Sequence, residues 1–186
     1  MKDNIPTEPV IKYFGFGTNK DRDMMEHMVG RKGLLGEPAK LPGYQVCTSL
    51  AKDFRKEIPA DSPADRSPYD ILANGWGPDF EMYCSVPDKN ALAYGTLWYL
   101  TPLELALCRE WELVDYGCQE DAYGVAETES GDKIPVITQS FMRPPFKIHK
   151  KVDGPDYPAY VADKTAMLKT ADESRESYLK LHNKTK

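Results

Sequence analysis

The chain has 186 residues, 41% of them hydrophobic and 28% charged, which suits one globular domain and excludes fibrous and disordered classes. Lys and Arg number 24 against 29 Asp and Glu, a formal charge of −5. The expectation is therefore no nucleic acid and no membrane among the partners, because both need a positive surface.

Residues 1–9 lack a signal-peptide core and read as a flexible N-terminus, and no apolar run is long enough to span a bilayer. Four cysteines (Cys47, Cys84, Cys108, Cys118) contain no Cys-x-x-Cys pair; they read as reduced thiols of a cytoplasmic protein rather than a disulfide framework. The first strand is expected over 10–17, a β-type run ending in glycines, followed by a short helix capped by Thr18 or Asn19 and stopped at Gly30. A second strand, 44–50, follows Leu41-Pro42-Gly43. From 55 to 80 the prolines and Asn74-Gly75-Trp76-Gly77 predict a long internal loop.

Strands resume at 80–86 and 91–100, with Pro87-Asp88-Lys89-Asn90 expected to turn a hairpin. Thr101-Pro102-Leu103-Glu104 is a capping box with Pro at the first helical position, opening a helix to about 111–114. A second hairpin is expected from 123–128 and 134–142, turning at Ser130-Gly131-Asp132 and broken by Pro144-Pro145. Residues 162–181 then have helical spacing without Pro or Gly. The whole of 1–186 reads as a single α+β domain built on a curled sheet.

Gly15-Phe16-Gly17 follows a strand, but Lys20 stands where a dinucleotide fingerprint needs its third glycine, and no Walker ending follows. The glycines serve either a tight turn or a nest of backbone N–H groups able to hold a carboxylate or oxyanion. His27, His149 and His182 lack metal-ligand spacing, and no Gly-x-Ser-x-Gly elbow is present. Lys147, His149, Lys150 and Lys151 read as a solvated basic loop. In the helix after Thr101, capping accounts for Glu104. The apolar stripe is taken as Leu103, Ala106, Leu107, Trp111, Leu113 and Val114. Glu110 falls inside that stripe as a buried acid. Glu112 lies on the other side with Leu105 and Cys108, unless the last turn loosens and re-aims it.

Four pieces belong together: Tyr13-Phe14-Gly15 with Phe16-Gly17-Thr18-Asn19-Lys20; Leu41-Pro42-Gly43-Tyr44; Gly95-Thr96-Leu97-Trp98-Tyr99-Leu100; and Arg109-Glu110-Trp111-Glu112-Leu113. In this order they resemble the γ-glutamylcyclotransferase family, whose first strand ends in Tyr-Gly-Ser-Asn-Leu and whose catalytic helix ends in Asp-x-x-Glu-Gly. The chain departs from that pattern at Phe16, Thr18, Lys20, Arg109 and Leu113, and Phe141 stands where some members place a substrate-contacting Tyr. The resemblance implies a small mixed β-barrel flanked by helices and a small-molecule γ-glutamyl substrate. It implies Glu112 as the catalytic acid/base and Tyr13, Phe14, Gly15, Phe16, Gly17, Thr18 and Asn19 as substrate-binding residues, with the backbone N–H groups of Gly17–Asn19 as donors. The reaction it implies is closure of the glutamyl part to 5-oxoproline with release of an amine, by a monomer or homodimer without metal or cofactor. The 55–80 segment, with Tyr69, Trp76 and Phe80, is either a lid that selects the leaving group or an ordinary covering loop. Two alternatives remain open: a non-catalytic ligand-binding module on the same fold, and a different amide-processing enzyme.

Overall fold

In a computed structural model that describes residues 9–60, 62–63, 65–141 and 147–183, five strands close into a mixed barrel. β1 (Ile11–Gly15) runs antiparallel to β3 (Glu81–Leu100), and β3 runs antiparallel to β2 (Gly36–Leu50). β2 then pairs with β4 (Glu120–Thr128), β4 with β5 (Lys133–Ser140), and β5 returns parallel to β1 at Tyr13↔Ile137. A short β6 (Lys150–Val152) adds to the far half of β2. The helices are α1 (Arg22–Val29), α2 (Pro68–Trp76), α3 (Pro102–Trp111) and α4 (Lys164–Asn183). The expected α+β barrel flanked by helices is the fold observed.

Strand alternation divides the core in two. Phe14, Leu41, Val46, Leu97 and Val136 form one cluster, while Tyr13, Trp98 and Leu100 pack outward against Met24, Met28 and Cys108 of the helices. Successive residues of β1, Tyr13 and Phe14, therefore serve opposite faces.

Several boundaries differ from the sequence expectation. β2 begins eight residues earlier than 44, because Leu41-Pro42-Gly43 is not a turn between elements. It lies within the strand, where the register with β3 shifts between Pro42 and Tyr44. Opposite that bulge, Pro87-Asp88-Lys89-Asn90 continues one long β3 instead of turning a hairpin, since both halves of β3 pair with β2 rather than with each other. The 55–80 stretch holds α2, where Ser67 and Asp70 form a capping box around Pro68. α1 is capped by Asp21, whose side chain accepts from Met24 N–H at 3.1 Å; Thr18 and Asn19 belong instead to a single 3-10 turn, Gly17–Lys20. The basic cluster forms β6 and its approach, with Lys150 on Glu81 and Lys147 on Asp53 at 2.6 Å each. Met142, Pro144-Pro145 and the N-terminal residues 1–8 lie outside the described residues.

α3 is also rotated relative to the expected stripe. Leu103 is 51% exposed, whereas Glu104, Leu107 and Cys108 are buried. Glu104 is tied to the Thr101 N–H at 2.8 Å and to Arg31 at 3.0 Å, so a paired carboxylate takes an inward position that apolar counting assigns to leucine.

Trp98 carries the barrel's link to the 3-10 turn: its indole N–H donates to the Asn19 carbonyl at 2.8 Å, and the residue is 1% exposed. Trp98→Phe orphans that buried carbonyl and is expected to lower the unfolding free energy by about 1–3 kcal/mol. Urea denaturation at neutral pH checks this; a loss below about 0.5 kcal/mol would show that the carbonyl has found another donor.

Candidate functional site

The site begins where β1 doubles back. Gly17 has φ +58, and a Cβ there would lie 2.6 Å from the Tyr83 side chain; at Gly15 a Cβ would collide with the Asn19 carbonyl. With both positions glycine, the turn folds tightly onto the strand. Asn19 N–H bonds the Phe16 carbonyl at 3.0 Å, and the Thr96 hydroxyl bonds the Lys20 carbonyl at 2.8 Å. Asn19 is 1% exposed. Its amide donates to the Tyr13 hydroxyl and to Glu112 Oε1, each at 2.8 Å, and its Oδ1 accepts from the Thr18 hydroxyl.

Glu112 reaches this turn from the end of α3. Val114 N–H bonds the Arg109 carbonyl at 3.0 Å and Leu113 N–H bonds the Glu110 carbonyl at 3.1 Å, which closes the helix in a Schellman arrangement. Leu113 takes the left-handed position, φ +53, that glycine usually fills there. Its side chain packs with Leu72, Met82 and Tyr116, which offsets a backbone strain of about 1 kcal/mol. Arg109 bonds Asp115 at 2.7 Å and also pairs with Asp121, holding the segment beyond the helix.

Periodicity points to Glu110 as the buried acid, but Glu112 is the buried one, at 7% exposure. Glu110 is half-buried and accepts from the Tyr116 hydroxyl at 2.9 Å. Glu112 continues the face of Cys108, as the helical spacing places it; that face turns inward. Burial pushes its carboxyl up to about 7, against the opposing effect of hydrogen bonds from Asn19 and Gln119. Gln119 Nε2 donates to Glu112 Oε2, so two neutral amides face the two carboxylate oxygens. Cys108 and Cys118 beside it are pushed up by burial and by its charge, and so remain thiols.

Glu112 opens on a cavity of about 290 Å³, near the lower end of small-molecule sites. Phe16 and Thr18 line it at the turn, and Ile71, Leu72, Trp76 and Phe80 line it from α2 and the turn beyond. α4 contributes Met167, Thr170, Ser174 and Ser177, and Arg66 and Glu110 add charge. Of the other expected site residues, Tyr13 and Asn19 stand behind Glu112, Phe14 fills the barrel interior, and Gly15 supplies only its close-packed backbone. Phe141 packs against Cys47, Cys84 and Val86 and does not line the cavity.

The three backbone donors expected to point at a ligand are not equally open. Asn19 N–H is spent inside the turn, and Gly17 N–H donates to the Tyr157 hydroxyl at 3.2 Å. That hydroxyl donates in turn to the Tyr94 carbonyl at 2.6 Å, and Lys20 lies over the Tyr157 ring at 3.6 Å. Among the described residues Thr18 N–H alone of the three takes no protein partner. Sequence reasoning missed Gln119 and Tyr157. A glutamine just before a strand and a tyrosine in a Pro-rich stretch carry no local signal, because their partners are remote in the chain.

Solved structures share this architecture. One named gamma-glutamyl cyclotransferase superposes with a TM-score of 0.55 at 11% identity, covering 95% of this chain and 86% of that one. An uncharacterized protein from Homo sapiens gives 0.52 at 13% identity, with the same coverages of 95% and 86%. No family model and no curated protein sequence matches the chain. The likeness is one of fold.

The raised carboxyl makes a stability prediction. Its ordinary value is 4.5 and its folded value about 7, so between these pH values the native state holds a proton that the unfolded chain has lost. Stability from this group is complete below pH 4.5 and falls by about 3 kcal/mol as pH rises through 7. Urea unfolding at pH 5 and pH 8 is expected to show this fall in wild type and not in Glu112→Gln; equal slopes in both would contradict it.

Proposed function

We propose that the chain is a γ-glutamylcyclotransferase-like enzyme, which cyclises a γ-glutamyl compound to 5-oxoproline and releases an amine or amino acid, with Glu112 as general acid/base. The observation that supports this most is a single buried carboxyl group, pushed up to about 7, at the wall of a small-molecule cavity and bonded to the glycine turn through Asn19. A carboxyl group at its ordinary value is a poor acceptor for an ammonium proton; one near 7 both takes and returns a proton at neutral pH.

The chemistry is intramolecular, so binding the substrate in a folded shape removes most of the entropic barrier. Glu112 takes a proton from the α-ammonium, and the freed nitrogen attacks the γ-carbonyl carbon. The new C–N bond closes the five-membered ring. The bond to the leaving nitrogen then breaks as Glu112 returns the proton to it, and the second proton of the new ring nitrogen passes to the freed amine, which departs as an ammonium. Atoms balance without water, metal or oxidant. Thr18 N–H is the donor of the turn available to the developing oxyanion, a contact of the kind whose loss costs about 2.7–4 kcal/mol of barrier. The carboxylate needs no cation to hold it in place, since Asn19 and Gln119 fix both oxygens.

One observation favours the binding-module alternative: the Tyr157 hydroxyl occupies the Gly17 N–H that an anion would use. A γ-glutamyl ligand held without release of 5-oxoproline would identify that case, and a hydrolysed product would identify a different amide enzyme.

Glu112→Gln is expected to lower kcat for 5-oxoproline formation by about 10²–10⁴-fold, while Glu110→Gln keeps the activity; the reverse pattern would move the acid/base role to Glu110. In Gln119→Leu, loss of a bond that holds the carboxyl down is expected to shift the acidic limb of kcat/KM to higher pH. An unmoved limb would remove Gln119 from the tuning of Glu112.

A further inference from the structure

Resting on the cyclotransferase reading, we infer that the amine released from the substrate carries an aromatic or large apolar side chain, seated on the Trp76–Phe80 pair. The two rings stack at 5.2 Å between centroids and 20° between planes. Both residues are half-buried and both line the cavity that Glu112 opens on. Offset stacking of two rings presents a broad, stiff face and loses little rotamer freedom when a third apolar group is added.

The rest of that wall is of the same character. Ile71 and Leu72 come from α2, Met82 from the start of β3, and Met167 from α4. The aliphatic hydroxyl groups of the lining are on Thr18 at the turn and on Thr170, Ser174 and Ser177 of α4, while the Tyr83 and Tyr116 hydroxyls are spent on the Pro158 carbonyl and on Glu110. The lining thus combines hydroxyl groups suited to the charged α-carbon end of a glutamyl group with apolar groups suited to its partner. A glycine leaving group would leave the ring pair unfilled. A basic leaving group would meet Arg66, while Glu110, the carboxylate that also lines the cavity, is engaged by the Tyr116 hydroxyl at 2.9 Å. The position of the pair follows from the capping box at Ser67: it starts α2 so that Trp76 falls in the last turn, and Gly77 N–H closes that turn on the Ala73 carbonyl at 2.9 Å.

Two sources supply this side chain, an α-amino acid such as phenylalanine or a simple arylalkylamine such as phenethylamine. The test measures kcat/KM for 5-oxoproline release from γ-glutamylphenylalanine, γ-glutamylphenethylamine, γ-glutamylglycine and the isopeptide between the γ-carboxyl group and the lysine ε-amine. At least one aromatic conjugate is expected to exceed both the glycine and the lysine conjugates by about ten-fold or more; which of the two does so identifies the source. In Trp76→Ala the aromatic-to-glycine ratio is expected to fall toward one. The ratio cancels the concentration of active enzyme, so partial misfolding does not imitate the effect; if Trp76→Ala yields no folded protein, Phe80→Leu reads the same ratio. A wild-type ratio near one, a preference for the lysine conjugate, or a ratio unchanged in the variant overturns the inference while the cyclotransferase reading stands. No 5-oxoproline from any of the four removes both.

Discussion

The hydrogen bond between Asn19 and Glu112 is the constraint on which the site depends. It joins residues 93 positions apart, one in a turn that only glycine at positions 15 and 17 allows, the other at a helix terminus. A carboxyl group buried without a counter-charge is costly unless its oxygens find donors. Here two amides supply them, and because they are neutral they moderate the effect of burial without cancelling it. A guanidinium in either place would hold the carboxyl low and leave it a poor base; an apolar lining would raise it further and leave it a poor acid. The amide pair sets a middle course.

The fold was largely legible, because alternation, glycine and capping signals are local. β1, β4, β5, α3 and α4 stand close to where periodicity puts them. The errors share one physical origin. Pro87–Asn90 has turn chemistry, and Leu41-Pro42-Gly43 resembles a break, yet each is absorbed as a bulge because a long partner strand runs past it. Turn residues permit a reversal; whether one occurs depends on pairing that lies outside the window. α2 is different, since Ser67-Pro68-Tyr69-Asp70 carries a start signal that the surrounding prolines obscured.

Of the residues the sequence offered for the site, Phe16, Thr18 and Glu112 line the cavity, whereas Tyr13, Phe14, Gly15, Gly17 and Asn19 do not. The choice between Glu110 and Glu112 turned on which face of α3 is buried. Apolar counting misjudged that face because Glu104, paired with Arg31, takes an inward position. Resemblance pointed to Glu112 where periodicity favoured Glu110. Gln119, which holds the second carboxylate oxygen, and Tyr157, which covers one backbone donor, are distant in sequence from what they touch. Leu113 shows a local rule overridden: a β-carbon in a left-handed position is tolerated because its side chain completes the cluster beneath α2.

The parallel seam of the barrel bears on how the molecule comes into being. The Thr138 hydroxyl reaches the Phe14 carbonyl across 124 positions of chain, and β1 lies between β3 and β5. Synthesis proceeds from the N-terminus, so the first strand emerges long before its final neighbour. Loop closure over such a span is entropically slow. Until β5 arrives, one edge of β1 lacks its partner even after β3 has paired with the other, so nascent protein stays open to mispairing until the fifth strand has been made.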